Sequence, residues 1–229
     1  MQISAKDLGW LNTDDFCPRC FWITRHDRRL PYQTPFAGIF SSIDSYTKNV
    51  VSKYFDRHGK LPNWLGDIGE VKRLVKVKPS EFRVEKDGTL LTGIPDEIFE
   101  RPDGSYGIID YKTARYTGNQ DSLMPIYEVQ LNGYAYIAEA IGDKPVRDLY
   151  LVYFEPPHHD HFDELTSKHT TKEGFEMPFT PNIHGVRKNL GDVERLMAEA
   201  SRIYDLKSPP SGTRGCEDCE RLKELGKFI

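Results

Sequence analysis

Two acids and an amine stand close together near the middle of this sequence, in Gly93-Ile94-Pro95-Asp96 and then Ile108-Ile109-Asp110-Tyr111-Lys112-Thr113. Carboxylates that face one another at about 5 Å can share a hard cation such as Mg²⁺ or Mn²⁺, which prefers oxygen ligands. A lysine on the same face would stand beside that ion. The residue types therefore predict a metal-binding acid pair with a neighbouring lysine, provided that the chain folds so that the acids meet.

A β-hairpin is the element that must bring them together. Its link is Arg101-Pro102-Asp103-Gly104-Ser105. Pro at the first central turn position, Asp at the second and Gly in the left-handed position fit a three-residue loop with a glycine bulge. With Pro102 to Gly104 as the loop, Arg101 faces Ser105, and counting outward sets Asp96 opposite Asp110. Lys112 points to the same face, because side chains alternate along a strand. A two-residue loop would turn Asp96 to the other face and dissolve the site.

The chain has 229 residues, enough for one large domain or two small ones, and its 38% hydrophobic and 12% aromatic content can supply a core. No low-complexity tract or internal repeat is visible. The net charge is −4. A surface that grips nucleic acid by bulk charge is usually basic, so nucleic-acid binding here must be local or metal-assisted. Met1 to Trp10 lacks the basic start and apolar core of a signal peptide. No apolar run approaches the roughly 20 residues of a membrane span. The sequence reads as soluble and cytoplasmic.

Thr13-Asp14-Asp15 is a helix N-cap signal, with Phe16, Cys20 and Ile23 on one face behind it. Pro31 to Thr34 is a break, and Thr34-Pro35 opens a long helix whose apolar stripe is Ile39, Ile43, Tyr46, Val50 and Tyr54, closed by Gly59. Leu61 to Gly69 is irregular, with a turn near Trp64. The pattern then predicts strands over Glu81–Glu85, Thr89–Phe99 and Tyr106–Lys112 as an antiparallel meander, with Lys86-Asp87-Gly88 as a turn. A helix over Met124–Ile141, a buried strand over Val146–Phe154, an edge strand over Phe175–Phe179 and a helix over Leu190–Leu206 complete one α/β core.

Gly93-x-Pro95-Asp96, Asp110-x-Lys112 and Gln130-x-x-x-Tyr134, in that order, resemble the PD-(D/E)XK nucleases. The Gln-x-x-x-Tyr element marks the RecB-like branch, which includes the CRISPR-associated RecB-like exonucleases. The resemblance implies an α/β fold with a restriction-endonuclease-like αβββαβ core, a mixed sheet flanked by helices, and helical extensions at both ends. It implies a single nuclease domain over residues 1–229, with the catalytic core at 34–155 and a cysteine-bearing subregion formed by 1–33 and 190–229. Asp96, Asp110 and the main-chain carbonyl of Tyr111 would ligate Mg²⁺ or Mn²⁺. Lys112 would orient the attacking water or stabilise non-bridging phosphate oxygens. Gln130 and Tyr134 share a helix face and would hold Lys112 and contact the nucleic-acid backbone.

The implied activity is metal-dependent DNA hydrolysis, by an exonuclease acting on single-stranded or free ends, with possible protein partners in a DNA-processing complex. Two rivals are a structure-specific or nicking endonuclease on the same core, and a non-catalytic DNA-binding adaptor. Intact Asp96, Asp110, Lys112 and Gln130 argue against the adaptor. One position departs from the pattern. Many relatives carry His or Glu on the helix before the sheet, whereas Ala37 to Asp44 holds neither. Ser42 falls where the His would stand. Asp44 either reaches the site from that face or is an exposed helix acid. One metal is expected, and a second is not.

All four cysteines fall in two pairs, Cys17/Cys20 and Cys216/Cys219. In a reducing cytosol such pairs are more often metal ligands than disulfides. Four thiolates suffice for a [4Fe–4S] cluster or for Zn²⁺, and spacing favours neither, although two Cys-x-x-Cys knuckles are zinc-like. Cys17-Pro18-Arg19-Cys20-Phe21-Trp22 resembles the opening of iron–sulfur RecB-like nucleases, which implies a [4Fe–4S] cluster. Those relatives use one N-terminal and three C-terminal cysteines, so Cys20 stands in for a missing third. Either metal would pin the C-terminal tail to the first helix. His158-His159-Asp160-His161, after Pro156-Pro157, reads as a solvated loop, and Lys72 to Lys78 as a phosphate track or a charged edge strand. Lys112 to Arg115 and Arg187-Lys188 would add local positive potential.

Overall fold

A computed structural model describes residues 1–27, 38–116, 122–142, 144–156 and 168–227. The chain opens with β1 (Gln2–Ser4), α1 (Ala5–Gly9) and a 3₁₀ turn, then α2 (Pro18–His26) and the long α3 (Gly38–His58). A 3₁₀ segment at Asn63–Ile68 contains Trp64. There follow β2 (Arg73–Val75), β3 (Arg83–Lys86), β4 (Thr89–Thr92), β5 (Glu97–Glu100) and β6 (Tyr106–Lys112). The last part holds α4 (Met124–Ile141), β7 (Val146–Glu155), β8 (Thr180–Gly185), α5 (Leu190–Tyr204) and α6 (Glu217–Leu225). The expected break at Pro31–Thr34, the start of the long helix at Thr34-Pro35 and the His158–His161 loop lie outside the described residues.

The strands form two sheets, not the single meander read from the sequence. The main sheet runs β2-β5-β6-β7-β8, and a smaller one runs β1-β4-β3. The αβββαβ order holds as α3, β2, β5, β6, α4, β7, with the β3–β4 hairpin inserted into the smaller sheet. The segment expected as one strand, Thr89–Phe99, is broken between β4 and β5 at Gly93 to Asp96. Pro95 has no N–H to donate to a ladder. A side chain at Gly93 would strike the Tyr134 ring, whose Cε1 lies 2.4 Å from the position of a Cβ. The edge strand that pairs with β7 is β8, not Phe175–Phe179.

β6 lies at the centre of the main sheet, antiparallel to β5 and parallel to β7, and α4 makes the crossover between β6 and β7. Parallel strands need such a connection, and the helix then covers one face. Alternate residues accordingly divide between two cores. Ile98, Ile108, Leu149 and Leu151 pack under α4 and α5 with Val129, Ala135, Leu196 and Met197. Phe99, Ile109, Tyr111 and Val152 pack on the other face against Val51 and Phe55 of α3 and Leu65 and Ile68.

The β5–β6 register is the one that the loop residues predict. Glu97 stands opposite Ile109 and Glu100 opposite Tyr106. Arg101 N–H donates to the Ser105 carbonyl at 2.8 Å, and Gly104, at φ +86°, donates to the Arg101 carbonyl at 3.0 Å. One step outward from Glu97 and Ile109, Asp96 is level with Asp110.

Helix α3 is rotated relative to the expected stripe. Ile39, Tyr46 and Val50 are exposed, while Val51 and Phe55 are buried. The inward turn further up the helix carries Asp44 and Lys48, and the polar stretch is directed at the acid pair.

Candidate active site

Four of the five side chains expected at the site, Asp110, Lys112, Gln130 and Tyr134, join one network at the end of β6, and Asp96 stands beside it. Asp110 is 3% exposed in a strand buried on both faces. Its Oδ1 accepts from Gln130 Nε2 at 3.3 Å, and its Oδ2 lies 2.5 Å from Lys112 Nζ. Gln130 Oε1 accepts from Lys112 at 3.1 Å, and Gln130 Nε2 also donates to the Tyr134 hydroxyl at 2.6 Å. The Tyr127 ring closes over the Lys112 ammonium, with Nζ 4.2 Å from the ring centroid. Gln130 and Tyr134 are one turn apart on the α4 face that meets the sheet, so a single helix fixes both.

Asp96 enters from the β4–β5 break. Its Oδ2 accepts the Tyr111 N–H at 2.6 Å, which ties the acid to the backbone of β6. Burial and the nearby Asp110 charge push its carboxyl up to about 6, against the opposing pull of Lys48 and the Tyr111 amide. Burial, with Asp110 adding to it, also raises the Tyr134 hydroxyl.

Sequence reasoning missed Lys48 and Glu97. Lys48 Nζ lies 2.7 Å from Asp96 Oδ1 and 2.7 Å from Asp44 Oδ2. Burial lowers its proton affinity, but the hydrogen bonds to Asp44 and Asp96 outweigh that and hold its pKa above the ordinary value. Asp44 therefore does reach the site, through a lysine. Ser42 is exposed, and its Oγ donates to the Gly38 carbonyl of its own helix at 3.3 Å. Glu97 follows Asp96 in the chain, and burial plus the Asp96 charge push its carboxyl up to about 7. The i, i+4 spacing of Asp44 and Lys48 is a signal in the sequence, but only the rotation of α3 shows where the pair points.

The arrangement fits a cation. Asp110 Oδ2 is buried, and the partner it has among the described residues is the Lys112 ammonium at 2.5 Å. A buried carboxylate beside a second carboxylate is a donor set for a hard divalent ion. The basic stretch before the sheet is differently employed. Lys72 and Arg73 pair with Glu100 at 3.0 and 2.6 Å, and Lys144 joins them at 2.9 Å. These hydrogen-bonding cations hold the Glu100 carboxyl at about 2. Lys188 pairs with Glu139 at 2.7 Å. These cations fasten the edges of the fold.

The four cysteines converge at a second centre, which joins the N-terminal and C-terminal regions. Their sulfurs all lie within 4.8 Å of one another. Cys17 Sγ and Cys20 Sγ each stand 3.5 Å from Cys219 Sγ, and Cys20 Sγ is 3.6 Å from Cys216 Sγ. Cys17 and Cys216 occupy the N-cap positions of α2 and α6, so both pairs sit at helix N-termini, where anionic sulfur is favoured. Burial raises the Cys17 thiol, yet backbone N–H donors from Cys20 and Thr213 bring it down to about 6. Burial then pushes Cys20 well up and Cys219 to about 11. Four clustered sulfurs cannot all ionise without a cation among them, so the donor set fits a metal centre.

A model of the PD-(D/E)XK nuclease superfamily matches residues 16–222. Among solved structures, the crystal structure of SSO0001 is similar at 15% identity and a TM-score of 0.47, covering 91% of this chain and 78% of that one. The crystal structure of an alkaline exonuclease (LHK-Exo) from Laribacter hongkongensis is similar at 11% identity and a TM-score of 0.48, covering 100% of this chain and 95% of that one. No curated protein matches the chain. With the family match spanning both the acid-pair network and the cysteine centre, this chain belongs to the PD-(D/E)XK nuclease superfamily.

Proposed function

We propose that this protein is a metal-dependent deoxyribonuclease that hydrolyses phosphodiester bonds at free, single-stranded DNA ends. The observation that carries the reading is the buried carboxylate of Asp110, level with Asp96 and paired through its Oδ2 with Lys112 at 2.5 Å. Asp96, Asp110 and the Tyr111 carbonyl are the proposed ligands of Mg²⁺ or Mn²⁺, and the Tyr111 N–H bond to Asp96 supports that grouping. A divalent ion there supplies Lewis-acid stabilisation of the scissile phosphate and acidifies the attacking water.

The side chains have separable tasks in this reading. Lys112 faces a non-bridging phosphate oxygen with a fixed positive charge. Gln130 holds Lys112 and Asp110 at once, and so keeps donor and acid in one geometry. Tyr134 anchors Gln130 from the next turn of α4. Preorganised charge of this kind needs no rearrangement as the reaction proceeds.

The cysteine centre is proposed to be structural. A tetrahedral Zn²⁺ with bonds of about 2.3 Å sets its sulfurs about 3.8 Å apart. In a [4Fe–4S] cluster each thiolate binds a different iron, which spreads the sulfurs further. Three of the six sulfur pairs stand 3.5 to 3.6 Å apart and all lie within 4.8 Å, which supports a single Zn²⁺ over the cluster that the resemblance implies.

The test is cleavage of 5′- and 3′-labelled linear single strands and of closed circular DNA, with Mg²⁺ or Mn²⁺ and with Asp110→Asn as control. Stepwise shortening of linear strands with circles left intact is expected. Nicked circles would instead favour the endonuclease, and wild-type protein inert on every substrate would favour the adaptor.

A further inference from the structure

Each acid of the pair carries its own lysine. Lys112, from the strand, stands 2.5 Å from Asp110 Oδ2, and Lys48, from helix α3, stands 2.7 Å from Asp96 Oδ1. The two differ in setting. Lys112 is 14% exposed and is clasped by Gln130 and the Tyr127 ring. Lys48 is 35% exposed, and its other partner, Asp44, is 42% exposed. Lys48 thus borders the more open side of the acid pair.

An ammonium has three donors and no lone pair, so Lys48 cannot ligate a cation. It places one positive charge against Asp96 instead. The three carboxylates that pair with these ammoniums, Asp44, Asp96 and Asp110, leave with them one net negative charge, and Glu97 beside Asp96 adds a second when it is ionised. One dication brings the sum to zero or one positive charge, and a second would bring it to two or three before any substrate arrives. Two dications at the roughly 4 Å spacing of two-metal sites, beside two ammoniums, would face strong repulsion. Asp44 is also engaged, since its Oδ2 accepts from Lys48 at 2.7 Å.

We propose that Lys48 takes the place of a second catalytic ion, so that the centre binds one divalent ion and Asp44 serves as the counter-ion of Lys48 rather than as a metal ligand. The inference rests on the nuclease reading above. Lys48 supplies a charge that is permanent, whereas a second bound ion would exchange with solvent. It also repels the first ion, and so sets an upper limit on how tightly Asp96 and Asp110 hold it.

Mn²⁺ titration followed by electron paramagnetic resonance and by calorimetry tests this without reference to activity. Wild-type protein is expected to bind one Mn²⁺ outside the cysteine centre, with an uncoupled spectrum. Lys48→Met removes the charge and keeps the length, and should tighten Mn²⁺ binding by about tenfold or more. Lys48→Arg keeps the charge and should stay within about threefold of wild type. Two ions in the wild type, seen as an exchange-coupled pair, would overturn the inference, as would a folded Lys48→Met protein with unchanged Mn²⁺ affinity. In either case DNA cleavage would still stand. A wild-type protein that binds no Mn²⁺ and cuts no DNA would fail the nuclease reading itself and this inference with it.

Discussion

Gln130 Nε2 donates to Asp110 Oδ1 at 3.3 Å while Gln130 Oε1 accepts from Lys112 at 3.1 Å. One amide therefore orients both the carboxylate and the ammonium of the Asp-x-Lys element, because it offers a donor and an acceptor at once. A carboxylate in its place would keep the contact with Lys112 but would lose the donor to Asp110 and add a like charge beside it. Gln130→Ala and Gln130→Glu are both expected to lower kcat about 10- to 100-fold, the usual penalty for losing a group that orients metal ligands. KM should change little, because Gln130 is buried and spends its amide on Asp110, Lys112 and Tyr134. Single-turnover cleavage kinetics measure this, and a Gln130→Glu protein as fast as wild type would remove the orienting role.

Gly104 sets the hairpin that aligns the acids. Its φ of +86° lies in the left-handed region, and open space surrounds the position of a Cβ. Gly104→Ala therefore tests backbone strain without steric clash. It should destabilise the protein by about 1–2 kcal/mol, with Gly104→Asn intermediate because Asn tolerates that region better. Urea unfolding provides the measurement. Equal stability of all three proteins would contradict the loop geometry on which the Asp96–Asp110 register depends.

What was legible in the sequence follows from which forces act locally. The hairpin register was readable because Pro102, Asp103 and Gly104 specify the loop among themselves, and the parity of the count then assigns faces. Helix α4 was readable from its periodicity, with Gly142 beyond its last turn. The break at Gly93 to Asp96 was not. Its cause is tertiary, since the Tyr134 ring occupies the space that a side chain at Gly93 would need. The rotation of α3 was missed for a related reason. A hydrophobic stripe predicts the buried face only where that face is a core, and the inward face of α3 carries Asp44 and Lys48 above Val51 and Phe55. Functional sites break the binary pattern at such positions. The apolar residues Ile39, Tyr46 and Val50 then fall on the exposed side.

Asp96 and its chain neighbour Glu97 predict an inverted pH dependence. Asp96 sits at about 6 and Glu97 at about 7, each raised chiefly by burial above ordinary carboxylate values near 4. A folded-state pKa above the unfolded one gives a contribution that is complete below about pH 4 and is lost as pH rises through 6 and 7. These two groups should therefore make the protein less stable at pH 8 than at pH 5 when no divalent ion is added. Asp96→Asn and Glu97→Gln should each reduce that difference in Tm. Added Mn²⁺ should raise Tm more at pH 8 than at pH 5, because protons and metal compete for Asp96. A wild-type minus Asp96→Asn difference in Tm that is flat from pH 5 to 8 would show that Asp96 titrates normally.

The cysteine centre spans almost the whole chain, from Cys17 and Cys20 on α2 to Cys216 and Cys219 on α6. Few contacts other than the sulfurs hold α6, and none of its residues is buried. Metal binding should therefore supply most of the free energy that docks the tail. Protein purified without oxygen is expected to be colourless and to hold one zinc per chain. Cys219→Ser should lose the metal, lower Tm and open the chain after Tyr204 to proteases, while leaving the Asp96–Asp110 centre able to bind Mn²⁺. Elemental analysis with limited proteolysis measures both effects. A brown protein with four irons and matching sulfide would replace zinc with the cluster, and a Cys219→Ser tail as protected as wild type would deny the centre its anchoring role.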